Sequence, residues 1–160
     1  MTGARPADGQ FVTFSLGDES FAVPVALVRE ILDHEPAFQI PDGPGYLLGL
    51  RDVRGQGVPV IDLRLRLGLA PAEATAHTRV LVLDIPLPGR TLTLGMVADR
   101  VHEVVSFPGD RIDPPPDIGR NWHSEHITGV ARRGSDFILL LDLASLLGED
   151  DVIPPGGLAA

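Results

Sequence analysis

The chain contains no cysteine and no lysine. Without cysteine it has no disulfide, no thiolate nucleophile and no thiolate metal site, a composition that suits a reducing compartment. Without lysine it cannot form a Schiff base or complete a phosphate-cradling G-x-x-x-x-G-K-[ST] loop. All 13 basic residues are therefore arginine, against 22 acidic ones, for a formal net charge of −9. That balance argues against nucleic-acid backbones and against anionic lipid, since both reward clustered cations. Apolar runs such as Phe137–Leu141 are far short of the roughly 20 residues a membrane-spanning helix needs, so no membrane insertion is expected. The stretch Met1–Gln10 has no apolar core of the kind a secretion signal carries.

What is present is a soluble globule's composition, 44% hydrophobic and 22% charged over 160 residues. One domain is expected, able to bury roughly 70% of its unfolded surface. The chain is organised around Leu48–Gly68, LGLRDVRGQGVPVIDLRLRLG. It reads as a strand, Leu50–Val53, a turn at Arg54-Gly55-Gln56-Gly57 with two glycines free to take positive φ, and a buried strand, Val58–Ile61. Pro59 points to an edge or a bulge. Asp62 then caps the short helix Leu63–Leu67, and Gly68 closes it.

The same unit recurs 80 positions downstream as TGVARRGSDFILLLDLASLLG, with its turn at Gly134-Ser135-Asp136. Gly49 falls on Gly129, Asp62 on Asp142, Leu63 on Leu143 and Gly68 on Gly148. Upstream segments echo each other at a shift of 73: Phe21 falls on Leu94, Val28 on Val101, Glu30 on Glu103 and Ile31 on Val104. Such a register over several residue types implies an internal duplication and two related sub-barrels.

In chain order, Met1–Gln10 reads as a mobile tail. Phe11–Leu16 alternates, with Val12, Phe14 and Leu16 on one face, and Phe21–Val25 returns after a Gly17-Asp18-Glu19 turn. Ala26–Val28 is expected to form a tight corner and Arg29–Asp33 a strand, followed by a proline-rich connector to Gly45 and one helical turn at Tyr46–Leu48. Leu69–Thr78 is a polar linker. Arg79–Ile85 and Thr91–Ala98 are strands around a Pro86-Leu87-Pro88-Gly89 turn, and Val101–Phe107 follows. Pro108–Arg120, with four prolines, is an ordered loop rather than an element, and the acidic tail after Gly148 reads as mobile. About ten strands result, an all-β architecture of two five-stranded barrels. The expected division is a subdomain at about 11–70 and another at about 79–148, the two intertwined, with tails at 1–10 and 149–160.

Candidate chemistry is sparse. Asp62 and Asp142 could be taken for a catalytic carboxylate pair, but each follows a buried strand and opens a Leu-rich turn, as helix caps do. His123-x-x-His126 lacks the glutamate and third ligand of a zinc-hydrolase motif. No serine stands in a G-x-S-x-G setting. No cofactor is implied, and a metal-binding β-barrel enzyme is the weakest of the rival readings. An arginine in a glycine-flanked turn, Arg54, is usually a solvated turn residue.

Four segments carry a resemblance, in order and at matching spacing: FVTFSLGDESFAVPVALVREIL, LLGLRDVRGQGVPVIDLRLRLG, LTLGMVADRVHEVV and ITGVARRGSDFILLLDLASLLG. Their V-x-E-I, G-x-x-x-x-R-G-x-x-x-P-V-I-D-L, V-x-D-x-V-x-E-V and L-L-D-L-x-x-L-L patterns resemble the CheW family of bacterial chemotaxis coupling proteins, from about Phe11 to Leu147. The resemblance implies two five-stranded SH3-like β-barrels sharing a core. It implies a cytoplasmic, non-catalytic adaptor, recruited to receptor arrays at the inner membrane. Its implied partners are the cytoplasmic tip of chemoreceptors (methyl-accepting chemotaxis proteins), the regulatory domain of the CheA histidine kinase, and other CheW copies. In the family the receptor's helical hairpin lies in a groove between the sub-barrels. The positions that carry over are Val28, Glu30, Arg54 and Gly55. Asp52-Val53 departs from the family's usual Asn-Leu, and the loop Ile118–Ser124, with Arg120 and Trp122, is a further candidate for a variant-specific contact. Glu30 and Arg54 are expected to pair near the groove. The alternative within the family is an adaptor for a receptor–kinase pathway outside motility.

Overall fold

The computed structural model describes residues 9–108, 111–115 and 126–147. Among them are β1 (Gln10–Leu16), β2 (Glu19–Pro24), β3 (Val28–Asp33), β4 (Leu47–Val53), β5 (Gln56–Ile61), α1 (Leu63–Arg66), β6 (Arg79–Leu87), β7 (Arg90–Ala98), β8 (Arg100–Ser106), β9 (Ile112–Asp113), β10 (Ile127–Arg133), β11 (Asp136–Leu141) and α2 (Leu143–Leu147). The expected corner after β2 is a 3-10 turn, Val25–Leu27. Gln10 already belongs to β1; the rest of the expected N-terminal tail up to residue 8, and the C-terminal tail, lie outside the described residues.

The strands form two curled sheets, β8-β1-β2-β11-β10-β9 and β3-β6-β7-β5-β4. The all-β fold of two barrel-like units holds, although one sheet has six strands where five were expected. The sixth, β9, arises inside the stretch expected to be loop and pairs with β10 through Val130–Asp113 and Ala131–Ile112. Its counterpart in the other sheet is a bridge between Phe38 and Leu50. Each sheet takes strands from both sides of the 67–78 linker. The chain crosses between them at the β2–β3 corner and again at Asp99, between β7 and β8.

The hairpins close where the sequence places them, through Gly17, Gly55, Gly89 and Gly134, all at positive φ. Three local expectations fail. Leu47 and Leu48 lie in β4 instead of a helical turn, because Leu47 pairs with Ile61. Pro86 and Leu87 extend β6, opposite Thr91 and Arg90. Strand β5 is not an outer strand; Pro59 is tolerated because the parallel β5–β7 pairing begins only at Val60, so the missing N–H faces no ladder partner.

The duplication is visible bond by bond. Asp62 Oδ1 accepts from the backbone N–H of Arg64 at 3.1 Å, and Asp142 Oδ1 from that of Ser145 at 3.1 Å. Their own N–H groups donate to the carbonyls of Tyr46 (2.8 Å) and His126 (2.9 Å), themselves 80 positions apart. Both β4–β5 and β10–β11 slip register at the matching glycine, Gly49 and Gly129. The parallel pairs match too: Val60 faces Gly95 and Leu140 faces Ala22.

Three apolar clusters result. The largest is shared by both sheets and includes Val12, Phe14, Phe21, Ile61, Leu81, Leu83, Leu94, Met96 and Leu141, closed by Leu143, Leu146 and Leu147 of α2. A second, Phe11, Ala22, Phe107, Ala131, Ile138 and Leu140, lies within the six-stranded sheet. A third, Val60, Val80 and Val97, lies within the other. Phe11 and Thr13 are buried along with Val12 and Phe14 because both faces of β1 are covered.

Candidate functional site

Strands β3 and β4 are the outer strands of the five-stranded sheet, and curling brings them together. Side chains bridge the gap between them. Arg54, in the β4–β5 turn, donates from Nε and Nη2 to the two carboxylate oxygens of Glu30 on β3, at 3.2 and 3.1 Å. Arg51 on β4 donates to the Asp33 carbonyl at 2.5 Å and stands 3.6 Å from Glu35. A planar guanidinium suits this task, since its two parallel N–H groups match a carboxylate.

The turn that presents Arg54 is built for it. Arg54 has φ of 53° and Gly55 of 85°. Two successive left-handed residues are the type I′ hairpin turn, whose twist matches that of the strands it joins. The expectation of two positive-φ glycines is corrected here: Arg54 takes one of those places, and Gly57 lies in β5. A side chain in the left-handed region costs on the order of 1–2 kcal/mol. Asp52 helps hold it there: its Oδ1 accepts from the Gly55 N–H at 2.9 Å. The Arg54 side chain is 80% exposed while that of Glu30 is 18% exposed. Glu30's hydrogen bonds, and then its charge, hold the guanidinium above its usual pKa.

Val28 opens β3 and packs on the shared core. Ile31 faces Leu81 of that core across the ladder, yet is 44% exposed. Val28 and Ile31 are thus the apolar margin of the seam between the sheets, while Glu30, opposite Val82, turns to the other face of the strand to meet Arg54. Arg29 lies between Val28 and Ile31 and grips Asp84 with Nε and Nη2 at 3.0 and 2.9 Å. Asp84 also accepts from the Thr93 hydroxyl at 2.6 Å. That hydroxyl first, and then Arg29 against the opposing effect of burial, holds the Asp84 carboxyl below the usual range.

The structure therefore brings Glu30, Asp52, Arg54 and Gly55 together; Val28 lies on the same strand as Glu30 but is turned to the shared core. Arg120, Trp122 and the loop Ile118–Ser124, like His123, lie outside the described residues. His126 is buried with Nδ1 3.1 Å from the Ser145 hydroxyl, and no group of three metal-capable side chains occurs among the described residues.

Sequence reading missed a second copy of the site. Glu103 on β8 forms an ion pair with Arg133 at the end of β10, beside an open cleft of about 490 Å³ lined by Thr13, Arg100, His102 and Asp136 among others. Val101 faces Phe14 of the shared core, and Val104 faces Val12. The shift of 73 carried Glu30 onto Glu103, so half of the signal was there. The arginine was hidden because Arg54 falls on Gly134, one residue beyond Arg133.

Two curled sheets on one core, with apolar margins and edge-spanning ion pairs, define a small β-barrel docking module. The chain belongs to the CheW-like domain family, whose model matches residues 10–151. It is 31% identical over 144 residues to a probable chemotaxis protein CheW of Rhizobium etli, with 90% of each chain covered. It is 33% identical over 146 residues to protein FrzA of Myxococcus xanthus, covering 90% of this chain and 88% of that one. The crystal structure of scaffolding protein TtCheW from Thermoanaerobacter tengcongensis superposes with a TM-score of 0.78 at 26% identity, over 90% of this chain and 95% of the other. The protein is a non-catalytic chemotaxis adaptor of this family. Among the described residues no helix is long and apolar enough to cross a membrane.

Proposed function

We propose that this protein couples chemoreceptors to the CheA histidine kinase in the cytoplasm, at receptor arrays on the inner membrane, with residues 11–148 as the working unit. The receptor tip's helical hairpin lies along the seam at Val28, Glu30, Arg54 and Gly55. The observation that carries this reading is the Glu30–Arg54 pair, 3.1 Å long, which joins the β4–β5 turn to the strand whose Val28 packs against the shared core. A coupling protein needs separable, modest surfaces and no reactive group. Short apolar margins with a charged rim fit contacts at the small end of the range, below roughly 1,200 Å² in total. Tight assembly then comes from many copies acting together, other CheW-like copies included. Asp52, in place of the family's usual asparagine, holds the turn and adds charge beside Arg54, so it tunes receptor preference; Arg120 and Trp122 are kept as candidates for variant-specific contacts. Co-sedimentation with receptor tips and CheA tests the reading. A ternary complex with altered kinase activity is expected; absence of binding to both partners would refute it.

A further inference from the structure

Arg64 is a charged residue in the interior, its side chain 4% exposed. It stands on α1, directly after the strand whose hairpin carries Arg54. Its guanidinium forms an ion pair and hydrogen bond with Asp99 and lies 3.8 Å from the capping carboxylate of Asp62. Asp99 sits at the β7–β8 crossover between the sheets. The oxygen that takes Arg64 also accepts from the Gly17 N–H at 2.6 Å, and the Asp99 N–H donates to the Ser15 carbonyl at 3.0 Å. Gly17 and Ser15 belong to the β1–β2 hairpin of the six-stranded sheet. One arginine and one aspartate thus tie the end of the five-stranded sheet to the crossover and to a hairpin of the other sheet.

The duplicated unit shows what this tie is not for. At the matching positions, 80 and 73 residues away, stand Ala144 and Ala26. The other copy forms its strand, its Asp142 cap and its helix without any such pair. The tie is absent from half of the molecule, so it is not a requirement of the barrel itself. Elsewhere the sheets meet through leucine, valine and phenylalanine side chains. Apolar contact is non-directional and allows sheets to slide on one another. A buried guanidinium accepts few arrangements, since any slip strands a desolvated charge.

We infer that Arg64 is a positioning residue of the docking seam, locking through Asp99 the angle at which the two sheets meet. This rests on the docking reading above, because both margins of the seam, Val28–Ile31 and Val101–Val104, begin just after the two crossovers. Loosening the tie leaves two folded sheets and a seam of variable width.

The native chain has no cysteine, so spin labels at Thr91→Cys and Ser135→Cys, one on each sheet and both exposed, report the angle cleanly. Arg64→Met is expected to fold, to broaden the distance distribution, and to weaken binding to a receptor-tip fragment about fivefold or more. Arg64→Lys, which keeps the charge without the fork, is expected to recover part of both. An unchanged distance, a changed distance with undiminished binding, or loss of cooperative folding in Arg64→Met would each overturn the inference. An unchanged distance in Arg64→Met beside normal wild-type binding leaves the docking reading standing. A broadened distance in a protein whose wild type binds neither receptor nor kinase removes the docking reading and leaves the tie.

Discussion

Glu30 and Glu103 hold the same place in the two sheets, and each is paired with an arginine reached across the open side of its own barrel. The backbone around each is handled differently. At Glu103 the β1–β8 ladder slips between Val12 and Phe14, and the Thr13 hydroxyl fills the gap. It donates to the Glu103 carbonyl at 3.0 Å and accepts its N–H at 3.2 Å. At Glu30 the corresponding slip lies opposite Val82, and the rigidity comes instead from Arg29 clamped on Asp84.

Charge exchange tests the Glu30–Arg54 pair. Glu30→Arg and Arg54→Glu should each abolish binding to the receptor tip. Arg54→Glu should leave thermal unfolding nearly unchanged because Arg54 is solvated, whereas Glu30→Arg, at the less exposed partner, should lower it. The double exchange should restore binding in a pull-down. Two defective single variants with no recovery in the double would show that the residues act separately.

Gly49 should not tolerate a side chain. Its φ is 144°, and a Cβ there would stand 2.2 Å from the Phe38 carbonyl oxygen. Backbone must move to admit it, so Gly49→Ala is expected to cost about 3 kcal/mol in urea unfolding. Gly55→Ala, which meets nothing within 4 Å but keeps φ of 85°, should cost about 1 kcal/mol.

Removing the buried Thr13 hydroxyl leaves the part-buried carbonyl and N–H of Glu103 without that partner. Thr13→Val is expected to destabilise by about 1–3 kcal/mol, measured by urea unfolding, whereas Thr93→Val should be milder because Asp84 retains Arg29.

Acid should loosen the protein through Asp99. Burial pushes its carboxyl up, but the Arg64 and Gly17 hydrogen bonds outweigh it and set the folded value below 3.8. The folded state therefore takes up this proton less readily than the unfolded chain. Its contribution is complete above the unfolded value and is lost as pH falls through the folded one. The stability gap between wild type and Asp99→Asn, followed by urea midpoints from about pH 6 to about pH 3, should narrow toward acid. A constant gap would contradict this.

Much of this was legible in the chain. Hairpin turns, both aspartate caps and the twofold repeat are local or periodic patterns, and local chemistry decides them. The Glu30–Arg54 pairing was legible too, because both residues sit in short, specific motifs. What was not legible is long-range. The parallel pairings of β5 with β7 and of β2 with β11 join strands that no turn connects, and an apolar run such as Val58–Ile61 does not say which strand it will lie beside. Leu47–Leu48 reads equally as a helical turn or a strand until Ile61 is opposite. Arg64 reads as one arginine among several in LRLRLG, since nothing near it in sequence indicates that Asp99 will be its partner.

The interleaving of the sheets sets what happens when the backbone is severed in the polar stretch between α1 and β6. The leading fragment keeps β1 and β2, whose neighbours β8 and β11 lie on the trailing fragment; the trailing one keeps β6 and β7, whose neighbours β3 and β5 lie on the leading one. A protease nick there should yield two pieces that co-elute as a working protein and part only in denaturant, and neither, expressed by itself, should be recovered folded.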